Sequence, residues 1–96
     1  MNLAMSQPEE ERPSLLVFPC VFPIKVVGRR EDGYAQTVSD IVVKHAPDFH
    51  PDTIEMRASR NGRYLSLTVT INAKNREQLD ALYSELSKHP LVMMVL

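Results

Sequence analysis

A strict alternation of apolar and polar residues runs through the second half of the chain. Its apolar members stand at every second position and are Leu65, Leu67, Val69 and Ile71. Successive side chains of a β-strand point to opposite faces, so this spacing predicts a strand over residues 64–72 with one buried and one polar face. A shorter alternation through Ile54, Met56 and Ala58 predicts another strand before it. Between the two, Asn61-Gly62 is typical of a tight hairpin turn.

Two further segments predict the first and last strands. The run Ile24-Lys25-Val26-Val27 is rich in β-branched residues and indicates a strand over roughly residues 21 to 28. Pro19 and Pro23 lack the backbone N–H that a central strand needs, so this strand is expected at a sheet edge or at a strand start. Residues 91–96 are all apolar and include two valines, which favours a final strand.

Apolar residues three and four positions apart predict a first helix. The residues that share its face are Tyr34, Val38, Ile41, Val42 and His45. Asp32 or Gly33 is expected to cap this helix at its amino end. Pro47 should stop it at residue 45 or 46, because proline disfavours helical backbone in the residue before it.

Helical spacing returns near the carboxyl end. The apolar face there is formed by Leu79, Leu82, Tyr83 and Leu86. Asn75 with Gln78 three residues later resembles a capping box, and Pro90 closes the helix. The element order is therefore β-α-β-β-α-β. This order predicts an α+β, ferredoxin-like sandwich with a four-stranded antiparallel sheet and two helices on one face.

Composition limits the classes of protein that fit. The chain has 96 residues, a formal charge of −1 and one cysteine. This length suits one domain, over residues 15–96, and the acidic run Glu9-Glu10-Glu11 favours a disordered tail over residues 1–14. The absence of a basic excess predicts no nucleic-acid binding. No run of residues is apolar and long enough to span a bilayer, so we expect a cytoplasmic protein with no membrane association.

Short sequence matches in a fixed order add a family resemblance. They are Phe18-Pro19, Gly28, His45-Ala46-Pro47, Asn61-Gly62 with Tyr64, Thr70-Ile71-Asn72-Ala73, Leu82-Tyr83, Glu85-Leu86 and Val95-Leu96. Together they resemble the YbeD family of small bacterial proteins over roughly residues 15 to 96. The resemblance implies a fold like that of the ACT regulatory domains, which bind amino acids and assemble side by side. It brings no catalytic residues.

The predicted topology places several arginines at one end of the domain. Strands 1 and 2 run in the same direction, so the loops that follow them lie together. The expected anion-binding residues are Arg29, Arg30, Gly33, Arg60 and Arg63. Guanidinium groups beside a helix amino end suit a carboxylate or a phosphate, although Glu31 and Asp32 offset part of the positive charge. A solvated pole that binds nothing is the alternative.

The last strand predicts an interface. Its apolar residues Leu91, Val92, Met93, Met94 and Val95 carry no charge that would protect an exposed edge. Three alternatives could cover this edge: a second copy of this chain in a homodimer, the chain's own segment Leu15 to Phe18, or a different protein.

Catalytic and metal-binding residues are not expected. The three histidines are scattered, Cys20 stands alone, and no ligand set has zinc-like spacing. Asn72 and the arginines fall at opposite ends of the predicted sheet, so no nucleophile, base and oxyanion donors converge. We therefore expect a noncatalytic module without cofactors that either senses an anionic metabolite or acts as a protein interaction adaptor.

Overall fold

A computed structural model describes residues 16–96. Its elements are β1 (Cys20–Arg29), α1 (Tyr34–His45), a 3-10 turn (Pro51–Thr53), β2 (Glu55–Ala58), β3 (Tyr64–Ala73), α2 (Arg76–Lys88) and β4 (Val92–Val95). The predicted order and the ferredoxin-like fold are confirmed. The predicted tail over residues 1–14 lies outside the described residues.

The sheet has the order β2-β3-β1-β4, and every pair of neighbours is antiparallel. β1 and β3 pair along all ten residues, from Cys20 opposite Ala73 to Arg29 opposite Tyr64. Since β2 also runs antiparallel to β3, β1 and β2 run in the same direction. The carboxyl ends of β1 and β2 therefore lie at the same end of the sheet.

One face of the sheet carries the helices and the core. Every second residue of β1 and β3 points to this face, as the alternation predicts. These residues are buried from Ile24 to Gly28 and from Leu67 to Ala73, whereas Cys20, Phe22 and Leu65 are half-buried. The fully buried side chains of the sheet and helices include Ile24, Val26, Leu67, Val69, Tyr34, Val38, Val42, Leu82 and Leu86. The opposite face, which we call the outer face, has no helix packed on it among the described residues.

Pro23 lies in a strand that is central for only part of its length. β4 pairs with β1 from Val26 to Gly28, and the backbone of Lys25 exchanges hydrogen bonds with that of Leu96. Pro23 lies beyond this stretch and pairs only with Thr70 of β3. The missing N–H therefore falls where β1 is itself an edge, in agreement with the prediction.

The hairpin between β2 and β3 is wider than the sequence predicts. The amide of Gly62 donates to the carbonyl of Ser59 at 2.9 Å, so the turn centres on Arg60 and Asn61 and not on Asn61-Gly62. The side chain of Asn61 holds this arrangement, because its Oδ1 accepts from Ser59 Oγ and from the amide of Arg63. Gly62 follows with φ of 76°, the left-handed conformation that glycine tolerates.

The two helices begin in different ways. Asn75 Oδ1 accepts from the amide of Gln78 at 2.8 Å, which confirms the predicted cap of α2. Gln78 Oε1 accepts from the amide of Lys74, one residue before the position that a capping box uses. Gly33 caps α1 in the left-handed region, with φ of 83° and no side-chain hydrogen bond.

Candidate functional site

Three arginines meet where β1 ends and β3 begins. The amide of Arg30 donates to the carbonyl of Arg63 at 2.9 Å, and Arg29 pairs with Tyr64 across the two strands. These four residues and Glu31 line a cavity of about 390 Å³. We call Arg29, Arg30 and Arg63 the arginine pole.

Two residues of the predicted set do not line this cavity. Arg60 lies at the centre of the hairpin turn, beyond the strand ends that form the cavity wall. Gly33 caps α1, and a β-carbon built there would meet no heavy atom within 4 Å. The sequence places both at the correct end of the domain, but the hairpin is wider than a two-residue turn and sets Arg60 apart.

Tyr64 belongs to the cavity and was not among the predicted site residues. It is half-buried, and its strand position puts its ring on the outer face beside Arg29. Pairing the last residue of β1 with the first residue of β3 would have identified Tyr64. That register depends on the hairpin and on β1 together, and the alternation within one strand does not determine it.

The guanidinium groups of the arginine pole are open to a ligand. All three arginines are exposed, and within residues 16–96 none of them forms an ion pair or a side-chain hydrogen bond. Glu31 contributes the one carboxylate of the cavity wall. A site with three cations and one anion favours a ligand with net negative charge.

The carboxyl end of α2 reaches the same end of the domain. Pro90 and Leu91, which follow this helix, line a second cavity of about 320 Å³ together with Arg29 and Glu31. Arg29 and Glu31 stand between the two cavities and contribute to both.

Tyr34 fills the space beneath the loop that joins β1 to α1. Its side chain is fully buried, and its hydroxyl donates to the carbonyl of Val26 at 3.0 Å. Burial raises the pKa of Tyr34 to about 12. A β-carbon added at Gly28 would lie 2.5 Å from Cε1 of this ring. The ring therefore occupies the volume on the helix side of the loop, and the accessible cavity lies on its outer side.

The two edge strands differ in their chemistry. β2 carries Glu55 and Arg57 on its outer face, whereas β4 exposes only apolar side chains. The exposed fractions are 55% for Met93, 48% for Met94 and 61% for Leu96. Among the described residues β4 pairs only with β1, and residues 16–19 form no strand. The predicted apolar edge is therefore present, and residues 16–18 do not pair with it.

Two groups of polar side chains form contacts away from the arginine pole, one between the helices and one at the opposite end of the sheet. Glu85 accepts from His45 Nε2 at 2.7 Å and from Lys44 Nζ, which links α1 to α2. The hydrogen bond from His45, followed by the one from Lys44, lowers the pKa of Glu85. Asn72 donates to Asp48 and lies at the end of β3 remote from Arg29. These contacts stabilise the fold and do not converge on a cavity.

Among residues 16–96, no three side chains of His, Cys, Asp or Glu are arranged to hold a metal ion. No helix in the same range has the length and hydrophobicity that crossing a membrane requires.

Comparison with solved structures places this fold among known ones. The solution structure of protein HP0495 from H. pylori matches with a TM-score of 0.71 at 16% identity and covers 98% of both chains. The solution structure of the ACT domain from GTP pyrophosphokinase of Chlorobium tepidum matches with a TM-score of 0.63 at 23% identity, covering 80% of this chain and 83% of that one. At these identities the likeness shows the fold alone.

Sequence relatives are closer. The UPF0250 protein of Nitrosomonas europaea is 54% identical over 83 residues, which are 86% of this chain and 95% of the relative. The UPF0250 protein of Ralstonia nicotianae is 49% identical over 85 residues, 88% of each chain. The family described as "Protein of unknown function (DUF493)" matches residues 13–96. The chain therefore belongs to this family, the UPF0250 proteins that include YbeD.

Proposed function

We propose that this domain is a noncatalytic binding module with a regulatory role, and that the arginine pole binds an anionic metabolite. The observation that carries the proposal is the cavity of about 390 Å³ in which Arg29, Arg30 and Arg63 meet without an ion-pair partner among residues 16–96. Guanidinium groups bind carboxylates and phosphates through paired N–H donors, which gives both affinity and orientation.

The composition of the cavity supports binding without chemistry. Besides the arginines it is lined by Glu31 and Tyr64, and no serine, threonine, cysteine or histidine contributes to the wall. Cys20 pairs with Ala73 at the far end of β1. A nucleophile and a base in contact, which covalent or acid–base catalysis requires, are therefore not brought together in this cavity.

Thermal unfolding in the presence of anions tests this proposal. A panel of carboxylates and phosphates of different sizes, including aryl carboxylates, is added to the full chain. A ligand at 100 times its Kd should stabilise the domain by about 2.7 kcal/mol. The double variant Arg29→Ala/Arg63→Ala should lose that shift.

A matched control removes the same charge elsewhere. Arg60→Ala/Lys74→Ala also loses two positive charges, but neither residue lines the cavity. We expect this variant to keep the shift in melting temperature. An equal loss in both double variants would indicate a general charge effect, and no shift with any anion would refute the proposal.

A second candidate function rests on β4. We propose as the alternative that the domain acts as an interaction module and that a second copy of the chain covers this edge. Residues 91–96 carry no charge, and Met93, Met94 and Leu96 are exposed. Two such strands paired antiparallel about a two-fold axis would form a continuous eight-stranded sheet.

Light scattering after size-exclusion chromatography tests the alternative over a range of protein concentrations. The wild type should show a concentration-dependent dimer, and Met94→Lys should shift it to monomer, because a lysine on an edge strand opposes pairing. Thr70→Lys adds the same charge at an exposed position of β3 and should leave the dimer intact. A wild type that stays monomeric at every concentration would exclude this reading.

A further inference from the structure

A third, smaller cavity adjoins the arginine pole on the outer face and is distinct from the cavity that Pro90 and Leu91 line. Its volume is about 140 Å³, and its wall is mostly apolar. The lining residues are Val27, Arg57, Ala58, Ser59, Tyr64 and Ser66. Tyr64 is common to this cavity and to the one lined by the three arginines. Tyr64 therefore borders both spaces.

The strand register explains why the two cavities are neighbours. Arg29 lies opposite Tyr64, and Val27 lies opposite Ser66 in the next outward-facing row. Arg57 of β2 pairs with the same Ser66 from the other side. Outward-facing side chains along a strand are about 7 Å apart, so the cationic row and the apolar row are immediate neighbours.

The size and lining of the small cavity limit what it accepts. An apolar cavity of about 150 Å³ is known to hold one benzene ring. The space here is close to that volume but is open to water on one side, and its wall combines the Tyr64 ring with the aliphatic side chain of Val27. A single six-membered ring fits this space, and Tyr64 offers it an offset or edge contact.

Combining the two cavities gives the class of ligand. We infer that the arginine pole and the Tyr64 cavity form one site for a monocyclic aryl anion, with its carboxylate or phosphate at Arg29 and Arg63 and its ring beside Tyr64 and Val27. This inference rests on the proposed function, because it names the ligand class of the same pole. The spacing of about one row favours an anion joined to the ring through a short linker, as in phenylacetate or 3-phenylpropionate.

Titration calorimetry with three small probes tests the inference. Phenylacetate should bind about tenfold tighter than acetate, since it adds ring burial and a ring–ring contact to the same carboxylate. Cyclohexylacetate, which has the same linker and a saturated ring, should bind more weakly than phenylacetate. Equal affinity of phenylacetate and cyclohexylacetate would overturn the aryl assignment.

A cavity-filling variant separates the ring site from the anion site. Ser66 is half-buried on the outer face of β3 and lines the small cavity, so Ser66→Leu should fold and should occupy that cavity. We expect this variant to bind phenylacetate only as well as acetate. Thr70→Leu adds the same kind of side chain to the outer face away from both cavities and should bind like the wild type.

The outcomes distinguish this inference from the proposed function. If acetate and phenylacetate bind the wild type equally and both are lost in Arg29→Ala/Arg63→Ala, the anion site stands and the ring site is wrong. If Ser66→Leu keeps the preference for phenylacetate, the ring lies elsewhere and the inference is again wrong. If no probe binds the wild type at any concentration that calorimetry reaches, this inference is wrong, and the panel of carboxylates and phosphates in the thermal unfolding experiment decides the proposed function.

Discussion

The two faces of the sheet differ in how far their side chains are buried and in whether their charges are paired. On the helix side, residues such as Leu67 and Val69 are fully buried, and among the described residues no buried side-chain nitrogen or oxygen atom lacks a hydrogen-bond partner. On the outer face and at the arginine pole, cations stand without carboxylate partners beside shallow cavities. The covered face holds the fold together, and the open face is where a ligand can bind. Substitutions on the two faces should therefore have very different effects.

Leu67→Asp should have the largest effect. Leu67 is fully buried in the strand next to β1, and an aspartate there would place an unpaired carboxylate in the core. A buried, unpaired charge is one of the few changes that can cost more than about 4 to 5 kcal/mol, which approaches the whole stability of a small domain. We expect no cooperative thermal unfolding transition in circular dichroism.

Ser66→Asp is the matched control, one residue away on the outer face. Its carboxylate would be near Arg57 and in contact with water, so we expect a change within about 0.5 kcal/mol. Equal damage from both substitutions would mean that the assignment of the two faces is wrong.

Gly28→Ala should come next. Glycine is required here by close packing, since an added β-carbon would collide with the carbonyl oxygen of Leu91 and lie 2.5 Å from the ring of Tyr34. The ring is fixed by its hydrogen bond and the carbonyl by the backbone, so neither can move away at low cost. We expect a loss of about 3 kcal/mol, the upper end for overpacking, measured by urea denaturation.

The neighbouring residue serves as the comparison for Gly28. Val27 faces outward and is half-buried, so Val27→Ala should lose less than about 1 kcal/mol. A Gly28→Ala protein as stable as Val27→Ala would show that the space under the β1–α1 loop is larger than the structure indicates.

Local periodicity is enough to predict the six main elements, because strand alternation and helical spacing depend only on neighbours in sequence. The same residues predict which end of the domain collects the arginines, since that follows from topology. The exact set of residues that line the cavity cannot be predicted from topology. Whether Arg60 or Tyr64 joins Arg29 depends on the width of the hairpin, and Asn61 determines that width through hydrogen bonds of its side chain.

Side-chain contacts between different helices and strands also cannot be predicted from the local sequence pattern. The spacing of α1 predicts that His45 belongs to its apolar face, and the structure places it half-buried with its ring on Glu85. Nothing in the local sequence pairs residues forty positions apart. The cavity beside Val27 was missed for the same reason, because it forms from three strands at once.

Tyr34→Phe should have a smaller effect that depends on pH. At neutral pH the loss of the hydroxyl bond to the Val26 carbonyl should cost about 1 kcal/mol. Burial raises the pKa of Tyr34 to about 12, so the folded state holds this proton more tightly than the unfolded state, where the pKa is 10.0. The stability from this residue is therefore complete below pH 10 and is lost as the pH rises towards 12.

Urea denaturation at a series of alkaline pH values checks this prediction. The stability of the wild type should fall more steeply between pH 10 and pH 12 than that of Tyr34→Phe. Some decline should persist in the variant, because burial also raises the pKa of Tyr83. Parallel curves for the two proteins would mean that Tyr34 is accessible to water.

Glu85→Gln should have the smallest effect, confined to acid solution. The hydrogen bonds from His45 and Lys44 lower the pKa of Glu85 in the folded state, so folding favours its ionised form. This contribution is present above the usual glutamate pKa of 4.5 and is lost as the pH falls through the lower folded value. Because Glu85 lies at the surface, salt should weaken the effect. Melting temperatures measured from pH 6 down to pH 3 should converge for the wild type and Glu85→Gln. A difference between the two melting temperatures that stays constant with pH would mean that Glu85 acts through packing between the helices and not through its charge.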